Sequence, residues 1–351
     1  MDGKLLRFKK AVIATGARPA TPPIPGLAET GFLTNETVFS LTERPRRLLV
    51  LGGGPIGCEL AQAFGRLGAE VILAEMSPQF LPKEDPDAAE LLARAMKDDG
   101  IDIRLSTQVT RVSQGDCEKR VHLSTGDTSE VVSVDEILVG VGRIPNVEGL
   151  NLNAAGVEYD ARNGVKINDR LQTTNPKIFA AGDVALNYKF THTADAAARI
   201  VIQNALFLGR KRVSNLTVPW CTYTSPEIAH VGMYEQDARN KGYEVTTYKI
   251  PFADVDRAIL DGEDEGFVKI HVKKGTDQIL GATIVAEHAG DMISELTLAM
   301  VSGVGLGSIA SVIHPYPTQA EAIRKAADAY NRTRLTPFVK GIFEKWFSWT
   351  R

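Results

Sequence analysis

Cysteine is scarce in this sequence of 351 residues. Its three cysteines, Cys58, Cys117 and Cys221, stand neither in a C-x-x-C pair nor at the spacing of a zinc site. They therefore predict no disulfide framework and no metal site, which is typical of a protein of the reducing cytoplasm. We expect structural roles for the three thiols.

An excess of charge of either sign is also missing. The 40 lysines and arginines nearly balance the 43 aspartates and glutamates, and the formal net charge is −3. Without a basic excess to neutralise a phosphate backbone, nucleic acid is not an expected partner. A hydrophobic fraction of 44% with 24% charged residues is typical of a globular protein, and the length predicts two or three domains.

Long apolar runs are absent as well. The longest uncharged run, 297–313, contains three glycines and is shorter than the roughly 18 apolar residues that a transmembrane helix needs. The first residues, Met1 to Lys4, lack the pattern of a secretory signal. The sequence therefore predicts a cytoplasmic protein without a membrane span.

The most informative motif is a glycine loop between a predicted strand and a predicted helix. Residues 48–51 have the apolar pattern of a strand, and a helical pattern follows the loop up to Gly68. The loop consists of Gly52, Gly53, Gly54, Pro55, Ile56 and Gly57. At such a turn the bare backbone approaches a pyrophosphate at a helix N-terminus, so the loop predicts dinucleotide binding rather than a structural turn.

Glu75 predicts which dinucleotide is bound. It ends the next strand, 18 residues beyond Gly57, where a carboxylate accepts hydrogen bonds from the 2′-hydroxyl of NADH and repels the 2′-phosphate of NADPH. No arginine stands in the following turn to pair with that phosphate. NADH is therefore the expected cofactor and NADPH the less favoured one. In the alternative, Glu75 is a solvated strand end, and Ser77 or Gln79 sets the preference.

Four motifs, taken in order, resemble those of the flavin-dependent pyridine nucleotide-disulfide oxidoreductases. They are residues 12–19, the glycine loop, residues 139–146 and residues 178–183. The resemblance covers nearly the whole chain and points to the branch of mercuric reductases and dihydrolipoamide dehydrogenases. It implies an α/β fold with Rossmann-like FAD- and NAD(P)-binding domains and a C-terminal α+β dimerisation domain. It also implies a homodimer that uses FAD and NADH.

The same resemblance divides the chain into five predicted segments. They are a partial FAD-binding domain (1–40), an NAD(P)-binding domain (41–146), a second part of the FAD-binding domain (147–217), a dimerisation domain (218–335) and an amphipathic tail (336–351). Family members begin with an adenine-side β-α-β unit that has its own glycine loop and a redox-active cysteine pair. Neither is recognised in the 351 residues, which predicts an incomplete FAD domain and a chain that binds FAD weakly or not at all.

The resemblance further implies the residues of a flavin site. Gly16 matches the position where the chain passes the flavin diphosphate. Gly182 and Asp183 match the second flavin motif, in which the carboxylate accepts hydrogen bonds from the ribityl chain. His192 and Thr193 open a helix whose N-terminal amides would face the flavin pyrimidine and favour negative charge there.

Two residues are implied on the nicotinamide side. Gly142 matches a second crossing of the chain, and Glu59 matches a position where the family places a carboxylate near the nicotinamide and the flavin. With the glycine loop and Glu75, they complete the expected dinucleotide site.

The expected C-terminal catalytic residues are Tyr316, Glu321 and His314. In the dehydrogenase branch a histidine base precedes a Pro-Thr pair and is oriented by a glutamate matching Glu321, whereas this chain, like mercuric reductases, has Tyr316 there. A phenol with a reference pKa of about 10 donates a proton or approaches a soft metal ion, but it accepts a proton poorly near pH 7. In the alternative, His314, two residues earlier, restores a base.

The implied function is that of an NADH-dependent flavoprotein that passes hydride through FAD to an unassigned acceptor, either a small molecule or a metal ion. Mercuric reductases end in a cysteine pair, and residues 335–351 contain no cysteine. Two alternatives stay open. One is a truncated, non-catalytic nucleotide-binding and dimerisation fragment, and the other is a disulfide reductase of the dihydrolipoamide dehydrogenase type.

Aromatic and basic residues are interleaved in the tail. They are Phe343, Trp346, Phe347 and Trp349, with Lys340, Lys345 and Arg351 among them. Such a segment could lie on a membrane surface. We expect instead that its aromatic face packs on its own domain or on a partner subunit, because one short amphipathic segment has only marginal membrane affinity.

Overall fold

The computed structural model describes residues 7–350, so the first six residues of the predicted segment 1–40, and Arg351 of the predicted tail, lie outside the described residues. In chain order the strands are β1 (Ala11–Ile13), β2 (Ala17–Pro19), β3 (Arg47–Leu51), β4 (Glu70–Ala74), β5 (Asp102–Arg104), β6 (Thr107–Gln114), β7 (Lys119–Thr125), β8 (Thr128–Val134), β9 (Glu136–Val139), β10 (Arg143–Pro145), β11 (Tyr159–Asp160), β12 (Gly164–Val165), β13 (Ile178–Ala180), β14 (Pro219–Thr222), β15 (Glu227–Gly232), β16 (Val245–Pro251), β17 (Phe267–Lys273) and β18 (Ile279–Ala286).

The helices occur between these strands and after the last of them. They are α1 (Leu27–Thr30), α2 (Pro55–Arg66), α3 (Pro86–Asp98), α4 (Thr191–Leu206), α5 (Glu235–Asn240), α6 (Asp256–Asp261), α7 (Ala289–Ser302), α8 (Leu306–Ile309), α9 (Glu321–Thr333) and α10 (Pro337–Thr350). Among the described residues, none of the helices is both long enough and apolar enough to cross a bilayer.

The chain forms two compact units. The first consists of the residues up to Gly57 and of Thr107–Leu216, and the second of Cys58–Ser106 and the residues from Thr217 onward. In the first unit β1 pairs in parallel with β13, and β3 pairs in parallel with β9. Four of the five residues of β3 are buried, as expected for an apolar run in a parallel sheet.

The first unit also brings two of the sequence motifs together. Strands β2 and β10 are antiparallel and place residues 17–19 beside residues 143–145. A separate antiparallel sheet is formed by β6, β7 and β8. The motifs that were matched to the flavin and nicotinamide crossings are therefore neighbours, although they lie more than 120 residues apart in the chain.

The second unit is built around a five-stranded antiparallel sheet in the order β14-β15-β18-β17-β16. Helix α7 packs against β15 and β18, and α9 packs against β16 and β17. Strand β18 is internal to the sheet, and all of its eight residues are buried. Helix α3 also belongs to this unit, and it begins with Pro86 after an N-cap in which the Asp85 carboxylate accepts a hydrogen bond from Asp87 N at 3.0 Å.

A buried polar cluster joins the residues before α3 to the five-stranded sheet. Glu84 accepts hydrogen bonds from Trp220 Nε1 at 2.9 Å and from the Tyr234 hydroxyl at 2.6 Å. Lys269 on β17 donates to both carboxylate oxygens of Asp85, at 2.8 and 2.9 Å. Glu84, Asp85 and Lys269 are each less than a tenth exposed, and their hydrogen bonds compensate the cost of removing these groups from water.

The predicted fold class is confirmed, since α/β nucleotide-binding topology is followed by an α+β C-terminal part. Strand β8 is an edge strand with one buried residue, and its sequence therefore shows little hydrophobic alternation. Helix α9 begins at Glu321, directly after a turn over residues 318–320. The predicted tail is helix α10, and none of its residues is buried, so the expected packing on its own domain is not found among the described residues.

Candidate functional site

The glycine loop is closed at its base and open at its tip. A Cβ on Gly57 would overlap the carbonyl oxygen of Gly52, and a Cβ on Gly52, whose φ is +104°, would lie 2.8 Å from the carbonyl oxygen of Gly140. At Gly54 a Cβ would have no atom within 4 Å. Pro55 begins α2, so the open side of the loop lies at a helix N-terminus, where backbone amides favour an anion.

The first turns of α2 carry the other residues expected near the dinucleotide. Gly53 is buried within the loop and Ile56 is half-buried. Cys58 is buried, and burial raises the pKa of its thiol well above the usual value. The Glu59 carboxylate accepts a hydrogen bond from Tyr223 N at 2.8 Å, and burial raises its pKa. The helix thus presents a carboxylate that is held in place rather than a mobile surface charge.

Glu75 follows β4 in the second unit. Its Oε1 accepts a hydrogen bond from Ser77 N at 2.7 Å, which orients the carboxylate in the turn after the strand. Of the two residues considered as alternatives, Ser77 provides that backbone donor, and Gln79 Nε2 donates to the carbonyl oxygen of Glu84 at 3.4 Å. A fixed carboxylate at a strand end suits hydrogen bonding to a ribose.

The two crossings in the first unit are tied together by hydrogen bonds. Thr15 Oγ1 donates to the carbonyl oxygen of Asn146 at 2.7 Å, and Asn146 Nδ2 donates to the carbonyl oxygen of Thr15 at 2.9 Å. Gly16 and Gly142 have φ values of +68° and +120°, and a Cβ at either would have no atom within 4 Å. Both glycines therefore leave open backbone, which is what a close approach to a cofactor requires.

The segment after β13 contains the second flavin motif. Gly182 has a φ of +76°, and Asp183 lies in a 3₁₀ turn beside it. The Asp183 carboxylate pairs with Arg143 Nη1 at 2.7 Å. No role was predicted for Arg143 from the sequence. Its position directly after Gly142, within a cofactor motif, is the feature that could have indicated one.

The N-terminus of α4 carries a buried hydroxyl without a partner. Thr193 is 3% exposed, and its Oγ1 has no hydrogen-bond partner among the described protein atoms. His192, beside it, is exposed and stacks on Phe190 with ring centroids 5.2 Å apart. A buried donor at a helix N-terminus fits a polar ligand, so these residues are compatible with the expected flavin.

Each of the three expected C-terminal residues has a different partner. Tyr316 is 70% exposed, and its hydroxyl donates to Asp256 Oδ2 at 2.8 Å, which raises the pKa of the phenol. His314 Nε2 lies 3.1 Å from Glu295 Oε1. The Glu321 carboxylate is buried and accepts a hydrogen bond from Arg324 Nη2 at 2.7 Å.

These contacts do not join Glu321 to Tyr316 or to His314 by a hydrogen bond. Asp256 and Glu295, the partners of Tyr316 and His314, were not predicted from the sequence, because no motif marks either of them. Among the described residues the three cysteines form no disulfide, and they lie in different elements: Cys58 in α2, Cys117 in an exposed turn and Cys221 in β14. The described part of the chain contains no cluster of His, Cys, Asp and Glu side chains arranged to hold a metal ion.

Comparisons with known proteins show what the whole chain is similar to. The family model "Pyridine nucleotide-disulphide oxidoreductase" matches residues 1–198, and the model of the dimerisation domain of the same family matches residues 218–327. The mercuric reductase of Lysinibacillus sphaericus is 39% identical over 332 residues, which cover 95% of this chain and 61% of that protein. The dihydrolipoyl dehydrogenase of Thermus scotoductus is 36% identical over 344 residues, which cover 95% of this chain and 73% of that protein.

A solved structure shows the same fold. The HOCl-induced flavoprotein disulfide reductase RclA from Escherichia coli matches with a TM-score of 0.83 at 31% identity, over 90% of this chain and 72% of that chain. The chain spans about three fifths of the length of the Lysinibacillus and Staphylococcus aureus mercuric reductases that it matches.

Proposed function

Because the chain belongs to the pyridine nucleotide-disulphide oxidoreductase family, we propose that it serves an NADH-dependent, flavin-mediated reduction of an acceptor. The observation that carries this proposal is the glycine loop, which is closed against its own backbone at Gly57 and open above Gly54 at the start of α2. FAD, when bound, would accept a hydride from NADH and pass the electrons to the acceptor. The protein contributes binding, orientation and charge.

The loop and Glu75 are proposed to divide the binding of NADH between them. The open backbone at Gly54 receives the pyrophosphate, where the N-terminus of α2 favours its negative charge. The Glu75 carboxylate, oriented by Ser77 N, accepts hydrogen bonds from the ribose 2′-hydroxyl and repels a 2′-phosphate. Gly142 and Glu59 are assigned to the nicotinamide end of the same cofactor.

The residues of the first unit support a flavin site. Gly16 provides open backbone with positive φ. Gly182 also has a positive φ and packs closely against Ala194 of α4. The α4 N-terminus with Thr193 provides a polar end for the isoalloxazine ring. Arg143 holds the Asp183 carboxylate in one position, which leaves its remaining lone pairs to accept hydrogen bonds from a ligand hydroxyl. His192 is assigned a backbone contribution, because its side chain is exposed and stacked on Phe190.

Tyr316 is proposed to act on the acceptor side, as a proton donor or as a contact to a soft metal ion. Its hydroxyl is oriented by Asp256, and its exposure in the single chain is what a residue completing another subunit's site would show. We therefore propose a cytoplasmic homodimer in which Tyr316 and Glu321 of one subunit face the flavin of the other. The phenol in place of a histidine base favours a mercuric reductase-like acceptor over lipoamide.

Anaerobic stopped-flow measurements with the full chain test this proposal. The protein is incubated with FAD, separated from excess flavin and mixed with NADH, and the loss of the oxidised-flavin absorbance is followed. The reduced protein is then mixed either with a mercuric thiolate complex or with lipoamide. Tyr316→Phe should leave reduction by NADH unchanged and slow reoxidation by at least about tenfold, while Tyr159→Phe, a change at an exposed tyrosine of β11, should affect neither step.

Two results would contradict the proposal in different ways. If the chain binds NADH but retains no FAD and shows no bleaching, the chain acts as a nucleotide-binding and dimerisation module. If Tyr316→Phe slows reduction by NADH and spares reoxidation, the assignment of Tyr316 to the acceptor side is wrong.

A further inference from the structure

Helix α10 lies outside the family's matched regions, which end at residue 327. Projected on a helical wheel at 100° per residue, its side chains separate into two continuous arcs. The apolar arc contains Phe338, Trp349, Ile342, Trp346, Val339, Phe343 and Phe347, and Thr350, the last residue of the helix, is the one polar residue within it. The polar arc contains Lys340, Glu344, Pro337, Ser348, Gly341 and Lys345. The helix is therefore amphipathic up to Trp349.

The apolar arc of α10 is uncovered. None of its residues is buried, and the exposed fraction ranges from 46% for Phe343 to 81% for Trp349 among its large side chains. The aromatic rings contact one another, with centroids 6.1 Å apart for Phe343 and Phe347 and 5.9 Å apart for Trp346 and Trp349. A contiguous apolar face of this kind marks an interaction surface.

The charges around this face have one predominant sign. Lys340 and Lys345 lie at the two borders between the apolar and polar arcs, and Arg332 and Arg334 precede the helix. Glu344 is the single carboxylate between residues 332 and 350, although the chain as a whole has a net charge of −3. The local surface therefore complements a negatively charged partner.

A second copy of the helix is a poor match for this face. A helix of 14 residues is about 21 Å long and about 10 Å wide, so one face covers a few hundred Å² at most. A stable interface buries roughly 800 Å² on each partner. Pairing two such helices would also bring their border lysines near one another, which is unfavourable.

We propose that α10 docks on the surface of an anionic lipid bilayer, with its axis in the plane of the membrane. The indole and phenyl rings enter the interfacial region of the lipids, and the stems of the two border lysines lie along it while their ammonium groups reach the phosphates. The arginines before the helix add attraction to the same anionic surface. The helix therefore acts as a peripheral anchor.

Tryptophan fluorescence of the full chain gives a direct test. The protein has three tryptophans, and Trp220 lies in the second unit bonded to Glu84, so the Trp220→Phe background reports Trp346 and Trp349 alone. Vesicles of phosphatidylcholine with phosphatidylglycerol should shift this emission to shorter wavelength, and brominated lipids should quench it. Vesicles of phosphatidylcholine alone should bind at least about tenfold more weakly.

Two double variants separate the apolar and electrostatic contributions. Trp346→Ser with Trp349→Ser, and Lys340→Glu with Lys345→Glu, should each lower co-sedimentation with anionic vesicles by about tenfold or more. Lys97→Glu with Lys241→Glu, a matched change at exposed lysines elsewhere in the second unit, should leave co-sedimentation unchanged. Light scattering without lipid should give the same molecular mass for all of these proteins.

Three outcomes would overturn the proposal. The first is the absence of binding to either kind of vesicle, and the second is equal binding to both, which would remove the requirement for anionic lipid. The third is a lower molecular mass for the variant lacking both tail tryptophans, which would show that the apolar arc packs on a second copy of the chain.

Discussion

The hydroxyl of Tyr316 donates a hydrogen bond to Asp256, a carboxylate 60 residues earlier in the chain, and this contact raises the pKa of the phenol. The sequence around Tyr316 predicts a phenol on the acceptor side, but it says nothing about this partner. A phenol that donates to a carboxylate ionises less readily than a free one, because the phenolate would face a second negative charge. The pair is therefore suited to keep a donor available, and Asp256 acts through Tyr316 as a positioning residue.

We expect Asp256→Asn to lower the pKa of Tyr316 towards its ordinary value, since the amide removes the neighbouring charge. The alkaline ultraviolet difference titration of Asp256→Asn, corrected with Asp256→Asn/Tyr316→Phe, isolates this one tyrosine among eight. Asp261→Asn, which removes a carboxylate paired with Arg257 on the same helix, is the matched control. An unchanged titration of Tyr316 in Asp256→Asn would show that the hydrogen bond does not persist in solution.

The second prediction at this scale concerns Glu75. Glu75→Ala should weaken NADH binding by the loss of charge-assisted hydrogen bonds, about 1.5 to 3 kcal/mol. It should weaken NADPH binding less or even improve it, because a charge that repels the 2′-phosphate is removed. Fluorescence titration with both nucleotides measures the gap, and Glu70→Ala, at the exposed start of the same strand, provides the control. Equal affinities of the unmutated protein for NADH and NADPH would remove Glu75 from its proposed role.

At the scale of an element, the glycines of the loop have two different functions: one is required for folding and another for the approach of a ligand. Gly57 is needed for the fold, because any side chain there would overlap the carbonyl oxygen of Gly52. Gly54 faces open space and is needed only where a ligand approaches the backbone. The sequence pattern of the loop does not distinguish these two glycines, whereas the space around each of them in the structure does.

We therefore predict different phenotypes for Gly57→Ala and Gly54→Ala. The first should lower the free energy of unfolding by about 1 to 3 kcal/mol through overpacking and should weaken NADH binding as well. The second should leave thermal unfolding unchanged and weaken NADH binding by about tenfold or more, because a methyl group then lies where the pyrophosphate approaches. Loss of stability in Gly54→Ala without loss of affinity would contradict the proposed position of the pyrophosphate.

The central strands of the C-terminal sheet contain buried imidazoles. His230 on β15 is fully buried, with Nδ1 2.8 Å from Thr283 Oγ1, and burial lowers its pKa to about 3. His271 on β17 is also buried, and its pKa is lowered for the same reason. Both histidines therefore remain neutral in the folded protein at a pH where they take up protons in the unfolded chain.

This gives a definite sign for the pH dependence of stability. Below the unfolded pKa of about 6.5 the unfolded state binds more protons, so the free energy of unfolding should fall with decreasing pH, by up to about 1.4 kcal/mol per unit and per histidine, until the folded pKa is reached. Urea unfolding between neutral pH and pH 5, monitored by circular dichroism, measures the slope. His230→Gln should reduce the slope, and a slope unchanged by both His230→Gln and His271→Gln would contradict the prediction.

For the whole molecule, the features that could be predicted from the sequence are those formed by residues close together in the chain. The strand before the loop, Gly57 and the helix after it lie in one short stretch, so their pattern predicts local structure well. Arg143 beside Asp183 and Asp256 beside Tyr316 are contacts across 40 and 60 residues, and they depend on how distant segments meet. Such pairs have no period or spacing from which they could be predicted.

The division into compact units shows the same limit. The family resemblance predicts successive segments along the chain, and those segment bounds stay predictions. By density of contacts, the structure groups Cys58–Ser106 with the residues from Thr217 onward. Hydrogen bonds from Trp220 and Tyr234 to Glu84 help to hold these two segments together. The partners lie more than 130 residues from Glu84, and no sequence motif marks Glu84.

The buried polar cluster has a practical consequence for dissecting the protein. The match to the dimerisation domain begins at residue 218, and this invites recombinant expression of the C-terminal part by itself. In such a piece Lys269 would lose the carboxylate of Asp85, and Trp220 and Tyr234 would lose that of Glu84. A buried ammonium left without its counter-ion is costly, about 3 to 5 kcal/mol for one broken buried pair, which is a large share of the stability of a small domain. An isolated piece that is to fold autonomously therefore has to include residues 84–87. The bounds of the family match thus differ from the bounds of a piece that can fold independently.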